Sequence, residues 1–287
     1  MSPDTIPCLD AAVTRGDVRP WSPDPLTARA RSIWSGADFL PIARSFAPGA
    51  AEFIARLELR PGESVLDVAC GTGNLAIPAA RAGARVTGLD IAPNLIAAAR
   101  REARAAGLTV QFDVGDAEAL PYGEGRFDTT VTMFGAMFAP RPARAVTELL
   151  RVTRPGGRIA MANWTPRGFI GTLLRAHTAV VPPPAGVPSP LLWGDEETVR
   201  ARFGDRVEEL TCVLRTLEFR FALSPAAVTE LFATCYGPTV AALQAAGVED
   251  GRRLRDALTR LWQKHNLASG DATVVVGEYL DVQARVA

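Results

Sequence analysis

Residues 65–73, Val-Leu-Asp-Val-Ala-Cys-Gly-Thr-Gly, constrain this chain more than any other stretch. A short apolar run closed by glycine reads as a buried parallel strand. Gly71 and Gly73 let the backbone turn sharply and approach a ligand without side-chain interference. Asn74-Leu75-Ala76-Ile77 then opens an apolar-periodic stretch. The result is a strand–glycine loop–helix unit, the cofactor edge of an open α/β sheet. Asp67, inside the end of the strand, sharpens the reading. A carboxylate there repels phosphate but accepts hydrogen bonds from a cationic or amine-bearing ligand.

That polarity separates two cofactor classes. A dinucleotide site sets pyrophosphate on a helix N-terminus and asks for G-x-G-x-x-G. Ala76 stands at the third position, which the fingerprint tolerates, so spacing alone does not decide. Asp67, Thr72 and Asn74 fit better with S-adenosylmethionine (SAM), which carries a sulfonium, an ammonium and no phosphate. The run resembles the first motif of class I SAM-dependent methyltransferases.

Downstream, strands and helices alternate. Strands are expected near 64–70, 84–90, 109–114, 127–134 and 157–163, separated by helical stretches near 74–82, 93–106 and 141–153. Such alternation implies right-handed β-α-β crossovers and a parallel sheet. Residues 27–59 read as helical. Beyond Trp164 the rhythm breaks: 166–200 holds Pro182-Pro183-Pro184 and two short helical candidates. Residues 207–221 alternate like a strand, Ser224-Pro225 is a helix start, a helical stretch covers 238–265, and 273–285 reads as a final strand. The expected fold is α/β: a Rossmann-like, seven-stranded, mostly parallel sheet with helices on both faces. An N-terminal helical segment and a helical cap from the C-terminal half accompany it. Three parts follow: a flexible segment 1–26, a SAM-binding core 27–164, and residues 165–287, which cover the substrate and supply the last strands.

Charge narrows the partners. The chain has 31 basic and 31 acidic side chains and no run of like charge that could track phosphates, which argues against nucleic acid as an obligate partner. Cys8, Cys70, Cys212 and Cys235 form no C-x-x-C pair, as in a reduced cytosolic protein, and no metal site is expected. The lack of a cysteine triplet also speaks against radical-SAM chemistry. Neither a signal peptide nor an uncharged run of transmembrane length is visible. A cytoplasmic protein without membrane association is therefore expected, with a homodimer left open.

Asp90 closes the second strand seventeen residues after Gly73. An acid at this place accepts two hydrogen bonds from a ribose diol; alternatively it caps the helix that begins near Pro93. Ile91 beside it offers adenine an apolar face. Asp116, after the third strand, is placed to accept from adenine's exocyclic amine, with the backbone of Ala117 alongside. After the fourth strand come Met133, Phe134, Met137 and Phe138, read equally as core or as pocket lining. The Asn/Asp-Pro-Pro-Tyr/Phe set that grips base or glutamine amino groups is missing, as is a Pro-Cys nucleophile. Nucleic-acid and glutamine acceptors are disfavoured accordingly.

Residues 62–164 look like the methyltransferase type 11 group, to which quinone-biosynthesis and many natural-product enzymes belong; the step Arg154-Pro155-Gly156-Gly157-Arg158 matches that group too. The resemblance implies SAM contacts at Gly71, Gly73, Asp90, Ile91, Asp116 and Ala117, with Asp67, Ala69 and Phe134 close by. It also implies an aromatic residue closing over the cofactor, matched to Trp34, and a cation for the methionine carboxylate, matched to Arg44. The implied activity is methyl transfer to a small-molecule acceptor, a secondary metabolite or quinone-like compound, by in-line displacement. The alternative is a SAM- or S-adenosylhomocysteine-bound enzyme of the same fold that catalyses a cyclisation or elimination. A hydroxyl acceptor would call for a general base. His177, in the segment after the fifth strand, is the candidate, although a lone helix histidine is more often structural. His265 is a weaker one. Tyr122, Tyr236 and Trp193 are possible lining residues.

Overall fold

The computed structural model describes residues 23–287. Most of the expected flexible segment 1–26, Cys8 included, lies outside the described residues. The N-terminal helical stretch is three helices: α1 (Pro25–Ser35), α2 (Leu40–Ser45) and α3 (Ala47–Arg56). Prolines at the first turns of all three explain the breaks, since proline starts a helix well and continues one badly.

The alternating region forms β1 (Ser64–Val68), α4 (Ala76–Arg81), β2 (Arg85–Asp90), α5 (Pro93–Ala105), β3 (Gln111–Val114), β4 (Phe127–Met133), α6 (Pro142–Val152) and β5 (Thr153–Trp164). After β5 come α7 (Phe169–Val180), α8 (Glu196–Phe203) and β6 (Val207–Phe221). Next are α9 (Pro225–Cys235), α10 (Gly237–Ala245), α11 (Val248–His265) and β7 (Thr273–Val286). The helix expected over 238–265 is two, because Ala246 and Gly247 are both extended: Ala246 ends α10 and Gly247 starts α11.

All seven strands join one sheet in the order β3-β2-β1-β4-β5-β7-β6. The first five pair in parallel; β7 runs antiparallel between β5 and β6. β5 begins earlier than its Gly156-Gly157 suggests, because Thr153 already pairs with Phe127 before the register shifts. Val65, Leu66, Val68, Val131, Ile159, Met161 and Val282 are buried, as strands covered on both faces require. Among the described residues, no helix is long and apolar enough to cross a membrane.

Candidate functional site

The strand order reverses its direction of growth between β1 and β4. A crevice opens at such a point, outside the carboxyl ends of the strands. Here its walls are unusually close. Ala69, just past β1, and Phe134, just past β4, both hold left-handed backbones, with φ of 56° and 59°. Non-glycine residues held there carry strain. A Cβ on Gly135 would lie 2.6 Å from both Cβ and O of Ala69, so only glycine lets the two loops meet.

Three carboxylates converge on this crevice from successive strand ends. Asp67 is buried and its Oδ2 accepts the N–H of Ala76, 3.0 Å away, at the start of α4. Asp90 is buried too; it accepts from Gly71 N at 2.8 Å and from Ala92 N at 2.9 Å. One acid thus ties the glycine loop to the start of α5. Asp116 accepts from Glu118 N at 2.9 Å. Burial pushes the Asp90 carboxyl up to about 6, against the lowering pull of its backbone donors. Burial raises Asp67 well above the usual carboxylate range, and the neighbouring charge of Asp90 adds to it.

Helix α1 lies against the same crevice. Asp24 caps it through Leu26 N at 3.0 Å and is bridged at 2.6 Å by Arg141, which also holds Glu118 at 2.8 Å. The Arg141 guanidinium keeps the Asp24 carboxyl far below the usual range. The Thr27 hydroxyl sits 3.0 Å from Asp24 Oδ2 and 3.3 Å from Asp116 Oδ2. This bracing presents Trp34 to the crevice, where its ring meets Phe138 edge-on at 5.1 Å and Tyr236 at 5.9 Å.

These elements enclose an open cleft of about 960 Å³. Its polar lining includes Asp67, Thr72, Asn74, Asp90 and Asp116, and among the described residues no lysine, arginine or histidine lines it. Pyrophosphate would meet carboxylates with no cation to offset them, whereas a sulfonium or ammonium would relieve two acids that burial already penalises. The buried Thr72 hydroxyl has no partner among the described residues, and at Gly71, with φ of 54°, a Cβ would meet nothing within 4 Å. Thr72 and the bare Gly71 backbone both line the cleft, which fits an adenosyl ligand lying along the loop.

Beside the cleft is a smaller space of about 360 Å³. Trp34, Phe39, Phe46, Phe134 and Phe138 line both. The Phe134 ring stacks on Trp164 at 3.5 Å with 10° between planes, so the strained residue after β4 forms a flat partition.

The structure brings Trp34, Asp67, Ala69, Gly71, Asp90, Ile91, Asp116, Ala117 and Phe134 to the cleft wall. Gly73 is not on that wall. It serves the turn, with φ of 92° and its N–H donated to Cys70 O. Met133 and Phe138 line the cleft, while Met137 is core. Two expectations need correction. Arg44 does not reach the cleft: its guanidinium pairs with Glu102 of α5 at 3.1 Å on the surface. His177 does not reach it either. Its ring is buried in α7, Nε2 lies 2.9 Å from the Thr239 hydroxyl, and burial pushes its pKa down to about 4. Among the other candidates, Tyr236 lines the smaller space. Trp193 is buried beneath the Arg202 guanidinium, Tyr122 bonds Asp113, and His265 sits edge-on to Phe169. Sequence reasoning missed Thr27, Phe39, Phe46, Phe219 and Phe232, which approach only after folding.

A family model described as a methyltransferase domain matches residues 65–157. An uncharacterized protein of Mycobacterium tuberculosis is 40% identical over 217 residues, covering 75% of this chain and 79% of its own length. This chain belongs to the same family as that mycobacterial protein. Demethylmenaquinone methyltransferase of Thermus thermophilus is 41% identical over 125 residues, 42% of this chain and 56% of that enzyme. Among solved structures, the [4+2]-cyclase SpnF superposes with a TM-score of 0.52 at 24% identity, over 84% of this chain and 81% of that one. That last likeness is one of fold alone. The chain has a class I SAM-dependent methyltransferase fold, related to quinone and small-molecule methyltransferases.

Proposed function

We propose that this protein is a SAM-dependent methyltransferase acting on a small-molecule acceptor, with residues 27–164 holding the cofactor and 165–287 covering the acceptor. The observation that carries the reading is the three-carboxylate cleft at the reversal point of the sheet, lined by no cation among the described residues. The Arg154-Pro155-Gly156-Gly157-Arg158 step supports a likeness to the type 11 group.

SAM supplies, when bound, a methyl group already activated on a sulfonium, whose bond to sulfur breaks with the electron pair left on sulfur. The chain's own task is therefore to align two ligands and exclude water. Asp90 is placed to accept from ribose hydroxyls, Asp116 from the adenine amine, and Ile91 to cover the adenine face. Asp67 and the loop donors serve the methionine end, and Trp34 closes over it from α1. Among the described residues, none that lines the smaller space is a base at neutral pH.

Calorimetric titration tests the reading. SAM and S-adenosylhomocysteine bind in the micromolar range and NADH does not bind; NADH binding with no SAM binding overturns it. The rival of a cyclisation or elimination on the same fold is separated by product analysis, since only methyl transfer moves label from the SAM methyl group into an acceptor.

A further inference from the structure

The Asp116 end of the cleft has a cation, but it stands behind the wall. Arg141, the residue before α6, does not line the cleft. Its guanidinium reaches two carboxylates: Nη2 donates to Asp24 Oδ1 at 2.6 Å and Nη1 to Glu118 Oε2 at 2.8 Å. Both acids belong to groups that hold Asp116. The Glu118 N–H donates to Asp116 Oδ1 at 2.9 Å. Asp24 Oδ2 lies 3.0 Å from the Thr27 hydroxyl, which in turn sits 3.3 Å from Asp116 Oδ2. Arg141 thus tethers the partners of both Asp116 oxygens.

The Thr27 hydroxyl has one proton and two carboxylates within reach. The charge on Asp24 therefore decides where that proton points. With Arg141 in place the Asp24 charge is offset, and Thr27 is free to donate to Asp116. Without it, Asp24 is an unpaired anion that takes the proton, and the bare Thr27 oxygen repels the Asp116 carboxylate. Glu118 loses as well, because its side chain is only 2% exposed and a buried carboxylate stripped of its counter-charge is costly.

Given the cofactor reading above, we infer that Arg141 is a positioning residue for adenine recognition. By pairing Asp24 and Glu118 it holds Asp116 ready to accept from the exocyclic amine of the cofactor. Helix α1 thereby joins in base discrimination. Thr27 lines the cleft on the same helical face as Ala30 and Trp34, three and seven residues on.

The probe is S-inosylhomocysteine, in which a carbonyl oxygen replaces the amine of S-adenosylhomocysteine. It presents an acceptor where Asp116 needs a donor, and a site built around a hydrogen bond rejects such an analogue by about tenfold or more. Both ligands are titrated calorimetrically into the full chain. Arg141→Met keeps the apolar stem and the backbone N–H that Glu118 Oε1 accepts at 2.5 Å. It should weaken S-adenosylhomocysteine about fivefold or more and leave S-inosylhomocysteine within about twofold, which also shows that the variant folds. Asp24→Asn keeps the helix cap, since asparagine caps as well as aspartate, and turns a neutral amide toward Thr27. Alone it should leave the discrimination within about twofold of the parent; added to Arg141→Met it should restore about half of what was lost.

That rescue is not expected of a guanidinium that merely docks α1, because Asp24→Asn would then cost as much as Arg141→Met. Such equal costs, an equal weakening of both ligands by Arg141→Met, or no discrimination in the parent overturns the role given to Arg141. If S-adenosylhomocysteine does not bind the parent at all, the cofactor reading falls and the role of Arg141 falls with it. If it binds and only the variants depart from expectation, the cofactor reading stands and the role of Arg141 alone is lost.

Discussion

The cleft and the smaller aromatic chamber beside it share a wall and little else. The cleft takes its polar groups from three consecutive strand ends, and its acids lie between Asp67 and Asp116 in the chain. The chamber gathers rings from Trp34 to Tyr236, with no two of its rings adjacent in sequence. One is a local device repeated along β-α-β units. The other exists only once α1, β6 and α9 have docked. Backbone geometry separates them as well: positive φ at Ala69 and Gly71 shapes the cleft, while Phe134, at φ of 59°, is the hinge point at which the two meet.

The largest expected separation comes from Asp90→Ala. That carboxylate holds Gly71 and Ala92 by their N–H groups, so its loss disorders the loop and removes the ribose acceptor together. We expect S-adenosylhomocysteine affinity to fall about 10- to 100-fold, equivalent to ~1–3 kcal/mol. Near-ultraviolet circular dichroism of the cofactor-free variant, which reports the packed rings of the chamber, should match that of the parent. Loss of that aromatic signal together with the affinity would show that cleft and chamber are one unit.

The two regions also answer acid in opposite directions. His177, behind the chamber wall, has a folded pKa of about 4 against an ordinary 6.5. As pH falls from about 7 to about 5 the unfolded imidazole takes up a proton and the folded one does not. The unfolded state is thereby favoured, by about 2 kcal/mol. Asp90, raised from 3.8 to about 6, acts the other way: the folded state takes the proton first and gains about 1 kcal/mol over the same interval. Urea unfolding of the parent and of His177→Gln at both pH values checks this. The variant, which keeps a polar partner for Thr239, should lose about 2 kcal/mol less on acidification than the parent. An identical acid response in the two proteins would mean that the ring is not shielded from water.

What the sequence made legible follows the same division. Each strand is recognisable because apolar runs are bounded by glycine or acid within a few residues, as at Val65–Gly71 and Val86–Asp90. The carboxylates of the cleft are legible for that reason: their meaning depends on neighbours in the chain. Helix breaks were less so. The break at Ala246 and Gly247 lets α10 and α11 both pack on α9 while α10 also reaches α1, a demand that no local pattern expresses. The chamber was the least visible part, since Phe39, Phe46, Phe219 and Phe232 each read alone as ordinary core. His177 misled because burial, not sequence context, decides whether an imidazole meets solvent or substrate.

Arg44 offers the smallest effect and the cleanest discrimination between the two ways of reading the chain. Resemblance places its cation on the methionine carboxylate; the structure places it on Glu102, with side chains 66% and 30% exposed. Ion pairs this open to water contribute about 0.2–1 kcal/mol, often less, because solvent screens them and two long side chains must be held still. Arg44→Ala should therefore shift the urea midpoint by an amount near the limit of measurement. It should leave SAM affinity within twofold, at low salt as well as high. A fall of fivefold or more in SAM affinity, deepest at low salt, would mean that the side chain leaves Glu102 when the ligand arrives. In that event α2 would have to be counted among the elements that close the cleft. The backbone of the same helix already touches the loop, through Ala43 O, which accepts from Asn74 Nδ2 at 2.9 Å. That contact does not depend on the Arg44 side chain, so an unchanged affinity in Arg44→Ala would assign the helix's role to its backbone.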